Sequence, residues 1–273
     1  MLVVNHVRIL CPTCKMGQLA VESMSGSEIH CADCRTSFPV KDGVINLLSE
    51  FPCRRTLSQA LMEWEPFIKM YESRWFRKGP GMRFFCGISF NEEYEIIVRA
   101  AKLEGSETLL DLGCGSGTYS RPLAKTLSRG AVVGLDLSVP MLDYASSRAR
   151  AERLENLLLI HGSALDLPFP KDEFDAVNCC ATIHLFSIPD LLKALKEACR
   201  VLKPGGRLMT SCLRNWIPGQ RSKQLLDRYS ERIGTYYRRP EDLEKLFKDA
   251  GLNDVECHHA RRYWMVMSAV KPE

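Results

Sequence analysis

The stretch that most constrains this chain is Leu109-Leu110-Asp111-Leu112-Gly113-Cys114-Gly115-Ser116-Gly117. An apolar run ends in an acid and breaks into three glycines on alternate positions. Residues Thr118 to Leu127 follow, with a helical pattern once past Pro122. Strand, glycine turn and helix in this order are how an α/β sheet opens a nucleotide-sized crevice at the end of its first strand. The spacing is G-x-G-x-G rather than the G-x-G-x-x-G of dinucleotide sites. Asp111 adds negative charge where a pyrophosphate would be repelled. The loop suits a nucleoside-like ligand that lacks phosphate and carries positive charge.

From residue 107 onward strands and helices alternate. The pattern predicts strands at Thr108 to Asp111, Ala131 to Asp136, Leu157 to Ile160, Phe174 to Cys180 and Arg207 to Cys212. Helices are predicted at Val139 to Leu154, capped by Ser138, and at Pro189 to Leu202. A last helix, Pro240 to Ala250, precedes two strands near Asn253 to His258 and Tyr263 to Val270. Lys203-Pro204-Gly205-Gly206 reads as a sharp turn. Alternation of this length means a Rossmann-like, doubly wound, mostly parallel sheet. Asp136 ends the second strand nineteen residues beyond Gly117, the place from which an acid can accept hydrogen bonds from both ribose hydroxyls. S-adenosylmethionine, with an adenosine, a sulfonium and an ammonium group, meets these demands.

Ahead of this region lie two knuckles, Cys11-Pro12-Thr13-Cys14 and Cys31-Ala32-Asp33-Cys34, sixteen residues apart. That spacing is characteristic of a four-thiolate zinc site, and a unit this small needs a metal to fold. Four protein ligands leave no open position for water, so the expected role is structural. His30 is a conceivable substitute ligand. Asp42-Gly43 between apolar residues predicts a hairpin closing the ribbon. The expected organisation is a zinc ribbon over 1–48, a helical connector over 49–105 and the ligand-binding domain over 106–273. In the connector, Leu57 to Trp64 and Phe67 to Phe76 look helical, with Trp64, Phe67, Tyr71, Trp75 and Phe76 near one stripe. Asn91 to Leu103 resumes the pattern with Asn91 as cap. Such a stripe is commonly core, yet its position just before the glycine loop also suits a flap over the site.

Composition excludes little. Apolar runs fall far short of the ~18 residues needed to cross a bilayer, and Asn5, His6 and Arg8 interrupt the N-terminal apolar residues, so neither membrane insertion nor a signal peptide is expected. Twelve cysteines without a secretory signal point to a reducing cytoplasm. A net charge of +4 is too mild to argue for nucleic acid.

Five ordered blocks resemble class I S-adenosylmethionine-dependent methyltransferases, particularly the ubiquinone/menaquinone C-methyltransferase branch. They are Asp111 to Gly117, Gly134 to Ser138 with Met141-Leu142, Leu167-Pro168-Phe169, Phe174 to Val177, and Arg200 to Gly206. The resemblance covers about 107 to 270 and implies that family's seven-stranded fold and chemistry. It implies a cofactor set of Asp111, Gly113, Cys114, Gly115, Gly117, Asp136, Leu137, Met141, Ser163, Ala164 and Cys180. Gly113 and Gly115 would lie along the methionine part, Asp136 at the ribose, and Leu137 and Met141 on the adenine. Where the family usually carries an acid facing the adenine amine, this chain has Ser163, next to the Ala164 amide. The ribbon is similar to that of bacterial guanine-N1 methyltransferases of ribosomal RNA. It is also similar to plastid and bacterial methyltransferases of unassigned substrate, which share the Pro66 to Trp75 and Ile88 to Tyr94 regions.

In-line methyl transfer needs alignment more than a fixed catalytic dyad. His184, beyond the fourth strand, is the candidate base or acceptor contact; a hydrogen-bonded loop histidine is the plainer role. Tyr119, Tyr71 and Trp75 could face the sulfonium, and Cys179-Cys180 could suggest thiol or arsenic chemistry, but core packing explains each. The expected acceptor is a small organic molecule, because Arg239 to Leu243 and Ala250 to Leu252 resemble the small-molecule branch. RNA is the alternative, on the ribbon and the basic groups Arg54-Arg55, Arg74-Arg77-Lys78-Arg83, Arg238-Arg239 and Arg261-Arg262. A non-catalytic binding module is a third reading, opposed by the intact loop and Asp136.

Overall fold

The computed structural model describes residues 7–19, 27–48, 56–73, 79–216 and 228–273. Trp75, Phe76 and the basic groups Arg54, Arg55, Arg74, Arg77 and Lys78 lie outside them.

The expected alternation is present. Strand β4 (Thr108–Leu112), helix α5 (Ser120–Thr126), β5 (Ala131–Asp136), α6 (Val139–Ala151), β6 (Leu157–His161), β7 (Phe174–Cys180), α7 (Ile188–Val201), β8 (Leu202–Leu213), α8 (Pro240–Asp249), β9 (Asn253–Arg261) and β10 (Trp264–Val270) follow in turn. These seven strands lie in the order β6-β5-β4-β7-β8-β10-β9. Neighbours from β6 to β8 are parallel, while β10 is antiparallel to both β8 and β9. The chain leaves β4 toward β5 on one side and reaches β7 on the other, so the glycine loop opens at the switch point where α/β sheets hold ligands. The turn at Lys203 to Gly206 is absorbed into β8 as a bulge: Phe174 pairs with Leu202 and Ala176 already with Arg207.

The ribbon adds strands to this sheet. β1 (Glu28–His30), β2 (Ser37–Lys41) and β3 (Val44–Asn46) form antiparallel pairs. Asp42 and Gly43 have φ of 53° and 79°, the double left-handed turn that suits strand twist. β3 then runs parallel to β6, Ile45 opposite Ile160, giving a ten-stranded order of β1-β2-β3-β6-β5-β4-β7-β8-β10-β9. Ile9, Ile29 and Ile45 share one buried cluster with Leu158, Phe169 and Phe174, and Arg8 pairs with Glu173 at 2.7 Å. Residues 7–19 and 27–48 therefore extend the sheet edge and pack on it.

The connector contains α1 (Leu57–Met62), α2 (Glu65–Tyr71), α3 (Pro80–Cys86) and α4 (Phe90–Ala100). The cap of α4 is Ser89, not Asn91: Ser89 Oγ accepts from Glu92 N and Glu92 Oε2 accepts from Ser89 N. This reciprocal S-x-x-E box satisfies two otherwise orphaned amides and sets the cap two residues earlier than Asn91. α2 ends at Tyr71, with Glu72 as its C-cap; residues 74–76 of the expected helix lie outside the described residues. Trp64 leaves the expected stripe, being 60% exposed at the start of α2, whereas Phe67 and Tyr71 face inward to a cavity. Among the described residues no helix is long and apolar enough to cross a membrane.

Candidate active site

Gly113, Gly115 and Gly117 have φ of 73°, 52° and 77°, a region costly for any residue with a Cβ. The loop is tied to β5: Gly113 N and Cys114 N donate to Leu135 O, and Gly115 N donates to Asp136 Oδ2 at 2.8 Å. Asp136 Oδ1 accepts from Ser138 N at 2.8 Å, and Ser138 caps α6. The Asp136 carboxyl is thereby fixed beside the loop, and burial raises its pKa above the ordinary carboxylate range.

A cavity of about 370 Å³ opens here. Of the residues expected from the sequence, Gly113, Cys114, Gly115, Asp136, Leu137, Met141, Ser163, Ala164, Cys180 and His184 line it. Asp111 and Gly117 do not. Asp111 sits behind the loop, 1% exposed, where its carboxylate accepts from Asn178 Nδ2 at 2.7 Å and from Ser120 Oγ. It ties β4 to β7 and α5. Burial pushes its pKa up to about 6 from 3.8.

That shift has a definite sign. The folded chain holds the Asp111 proton more tightly than the unfolded chain, so the associated stability is present below about pH 4 and is lost as pH rises to about 6. The difference is about 3 kcal/mol. In Asp111→Asn the amide can accept from Asn178 and donate to Ser120 Oγ. The stability of this variant relative to the parent should therefore rise by about 3 kcal/mol between pH 4 and pH 7. Denaturant unfolding at both pH values measures it; an equal difference at the two would refute the assignment.

His184 lies on a 3₁₀ turn, Ile183–Leu185, just beyond β7. It is buried, and its ring meets Trp264 edge-on at 6.1 Å. Ala181, at φ 56°, bends the chain sharply there. Such conformations in residues other than glycine cost energy and gather at functional sites. The Cys179 and Cys180 thiols are pushed well up by burial. A nucleophilic cysteine needs the opposite shift, so packing accounts for the pair.

The connector forms the far wall. Thr56, Gln59, Met62, Glu63, Phe67, Tyr71, Met82 and Phe85 line the same cavity, joined by Leu213, Tyr236 and Trp264 from the C-terminal half. Nothing local in the sequence marks Trp264 as a wall residue. Arg238, half of an expected basic pair, is buried, and its Nη2 donates to Phe186 O. It supports the pocket wall and does not form an RNA-facing surface.

The four knuckle cysteines also converge. One sulfur from each lies within 4.8 Å of all the others, with Cys11 to Cys34 at 3.6 Å and Cys14 to Cys31 at 3.7 Å. Gly17 N donates to Cys14 Sγ and Cys34 N to Cys31 Sγ. A hydroxyl bond from Thr36, together with its backbone amide, draws the Cys34 thiol down to about 6. His30 is outside the cluster and meets Ser37 Oγ instead.

The profile of a methyltransferase domain matches residues 109–206. A demethylmenaquinone methyltransferase of Geobacillus kaustophilus (strain HTA426) is 31% identical over 185 residues, covering 59% of this chain and 77% of the relative. The chain belongs to the S-adenosylmethionine-dependent methyltransferases. A second relative, the demethylmenaquinone methyltransferase of Geobacillus stearothermophilus, is 37% identical, covering 45% of this chain and 51% of its own length. Among solved structures, Haemonchus contortus phosphoethanolamine N-methyltransferase 2 in complex with S-adenosyl-L-methionine has a TM-score of 0.63 at 19% identity, covering 81% of this chain and 61% of that one. An S-adenosylmethionine-dependent methyltransferase from Aquifex aeolicus has a TM-score of 0.57 at 21% identity, covering 76% and 98%. At such identities the structural likeness speaks for the fold of this methyltransferase.

Proposed function

We propose that the enzyme methylates a small, largely apolar, ring-bearing acceptor of the kind named by its menaquinone-methylating relatives. One observation carries this reading. A single cavity runs from the glycine loop and Asp136 to a wall containing Met62, Phe67, Tyr71, Met82, Phe85 and Trp264. Aromatic and thioether side chains favour flat apolar ligands and interact with a nearby cation.

S-adenosylmethionine, when bound, supplies a methyl group already activated by its sulfonium leaving group. Asp136 would accept from the ribose hydroxyls, which compete for the carboxylate oxygens now bonded to Gly115 N and Ser138 N. The Gly113 and Gly115 backbone would lie along the methionine portion, Leu137 and Met141 against the adenine, and Ser163 with Ala164 toward its amine. The connector would hold the acceptor in line with the methyl group. His184 would orient the acceptor and take up the proton it releases.

We assign the four-cysteine cluster to a structural zinc ion. Zn–S bonds of about 2.3 Å at tetrahedral angles place sulfurs about 3.8 Å apart, close to the 3.6 and 3.7 Å seen here. A disulfide would need about 2.05 Å. On this reading residues 1–48 are a zinc ribbon, 49–105 a cap and 106–273 the catalytic domain. Maintained thiolates suit a reducing compartment such as the cytoplasm.

The test uses methyl-labelled S-adenosylmethionine incubated with the enzyme and host extract, then separated into organic-soluble, RNA and protein fractions. Label is expected in the organic fraction. Asp136→Ala should reduce it by about 100-fold, the loss expected from removing two charge-assisted hydrogen bonds. Label that enters RNA, or an unaffected Asp136→Ala enzyme, would overturn the proposal.

A further inference from the structure

Glu72 stands at the C-terminal end of α2 as its C-cap. Its side chain is 10% exposed, and it meets the glycine loop rather than its own helix. Glu72 Oε1 accepts from Ser116 Oγ at 2.7 Å and from Thr118 Oγ1. Glu72 Oε2 is bonded to Arg121 Nη2. The three donors are all in the loop or the helix that follows it. Arg121 is held from the other side: its Nη1 donates to Glu152 Oε1 at 2.6 Å and its Nε to Gly117 O at 3.2 Å. Glu152, at the end of α6, also receives Lys125 Nζ at 2.5 Å. One carboxylate thus crosses from the connector to the loop that carries Gly113 and Gly115. Immediately before it, Phe67 and Tyr71 line the cavity from the same helix.

We propose that Glu72 is a positioning residue that joins the cap to the glycine loop, so that ordering of the loop around its ligand and closure of the acceptor wall are one event. The inference rests on the cofactor reading of the cavity. The physical reason is burial: a nearly enclosed carboxylate has to be hydrogen-bonded, and leaving it without donors is costly. Those donors are assembled when α2 lies against the loop. Displacing α2 strands Glu72, Ser116 and Thr118 together, so the two parts move as a unit. Binding at the loop is then linked to the position of the cap, and the linkage is reciprocal.

S-adenosylhomocysteine is the probe, because it needs no knowledge of the acceptor. Its affinity is measured by calorimetry, and cleavage within residues 56–73 by limited proteolysis with and without it. In the parent, the probe should slow cleavage. Glu72→Gln, which keeps the shape and loses the charge, should bind about ten-fold more weakly and lose the protection. Arg121→Gln should weaken binding similarly, and the double variant should be no worse than either single one. An unchanged melting temperature in Glu72→Gln would separate this linkage from simple unfolding, and Glu72→Asp should recover part of the affinity. Failure of the parent to bind the probe would sink the cofactor reading itself. A parent that binds, beside a Glu72→Gln variant with equal affinity and equal protection, would overturn the role of Glu72 alone. Additive losses in the double variant would do the same.

Discussion

Replacing Cys31 by serine is expected to lower bound zinc from one ion per chain to none and to reduce the melting temperature by about 10 °C. Cys31 is 2% exposed and sits among Ile9, Cys11, Leu19, Ile29 and Phe38 in the cluster shared with the main sheet. Structural zinc contributes about 10–16 kcal/mol to the folding of isolated finger peptides. Here the ribbon also packs on the sheet, so a smaller share, about 3–5 kcal/mol, should appear in the stability of the whole chain. At about 2–4 °C per kcal/mol, that gives the stated shift. The consequence reaches beyond the ribbon because β3 pairs with β6. Asn46 Oδ1 lies 2.7 Å from His161 Nδ1, and His161 Nε2 lies 3.1 Å from Leu137 O on the cavity wall. Elemental analysis and thermal unfolding with and without a chelator provide the check. The chelator should lower the parent to the level of the variant and leave the variant unmoved. A variant that keeps its zinc would refute the four-thiolate assignment.

Gly113→Ala should both destabilise the chain and abolish cofactor binding, whereas Gly115→Ala should mainly do the second. A Cβ on Gly113 would lie 2.2 Å from Thr182 Cγ2 and 2.9 Å from Thr182 Cβ. Thr182 cannot retreat freely, since its Oγ1 donates to Gly113 O and Cys180 O. Overpacking together with φ at 73° should cost about 3 kcal/mol. On Gly115 the nearest atom to a new Cβ is Met141 Sδ at 4.0 Å, so only the backbone conformation is strained, by about 1 kcal/mol. The new methyl group would nevertheless project where the cofactor has to approach the loop. Unfolding curves and S-adenosylhomocysteine binding, measured on both variants, separate the effects. A Gly113→Ala chain as stable as Gly115→Ala would contradict the packing at Thr182.

Much of this protein is legible in local chemistry. The glycines at 113, 115 and 117 announce a left-handed loop because a Cβ is disfavoured there. Asp42-Gly43 announces its hairpin for the same reason. Alternating apolar segments mark the strands and helices of the sheet, and the doubled C-x-x-C marks four sulfurs that the fold brings together. The cap of α4 was also readable, from Ser89 and Glu92, once the box is preferred to the nearest asparagine. These features depend on residues a few positions apart, so the chain states them directly.

Only the tertiary structure decided which distant parts meet. Paired with β2 on one side, β3 leaves a second edge that several strands could satisfy, and its place beside β6 depends on how Ile9, Ile29 and Ile45 pack against Leu158 and Phe169. Asp111, adjacent to the loop in sequence, proves to lie behind it, because Asn178 and Ser120 hold its carboxylate within the core. Trp264 reaches His184 from a strand eighty residues later in the sequence. Glu72 meets Arg121, forty-nine residues later in the sequence, with no periodicity to announce it. Local sequence therefore determined the alternation of strands and helices and the glycine loop. The acceptor wall and its link to the loop were decided by long-range packing, which selects among many contacts that no short stretch of sequence specifies.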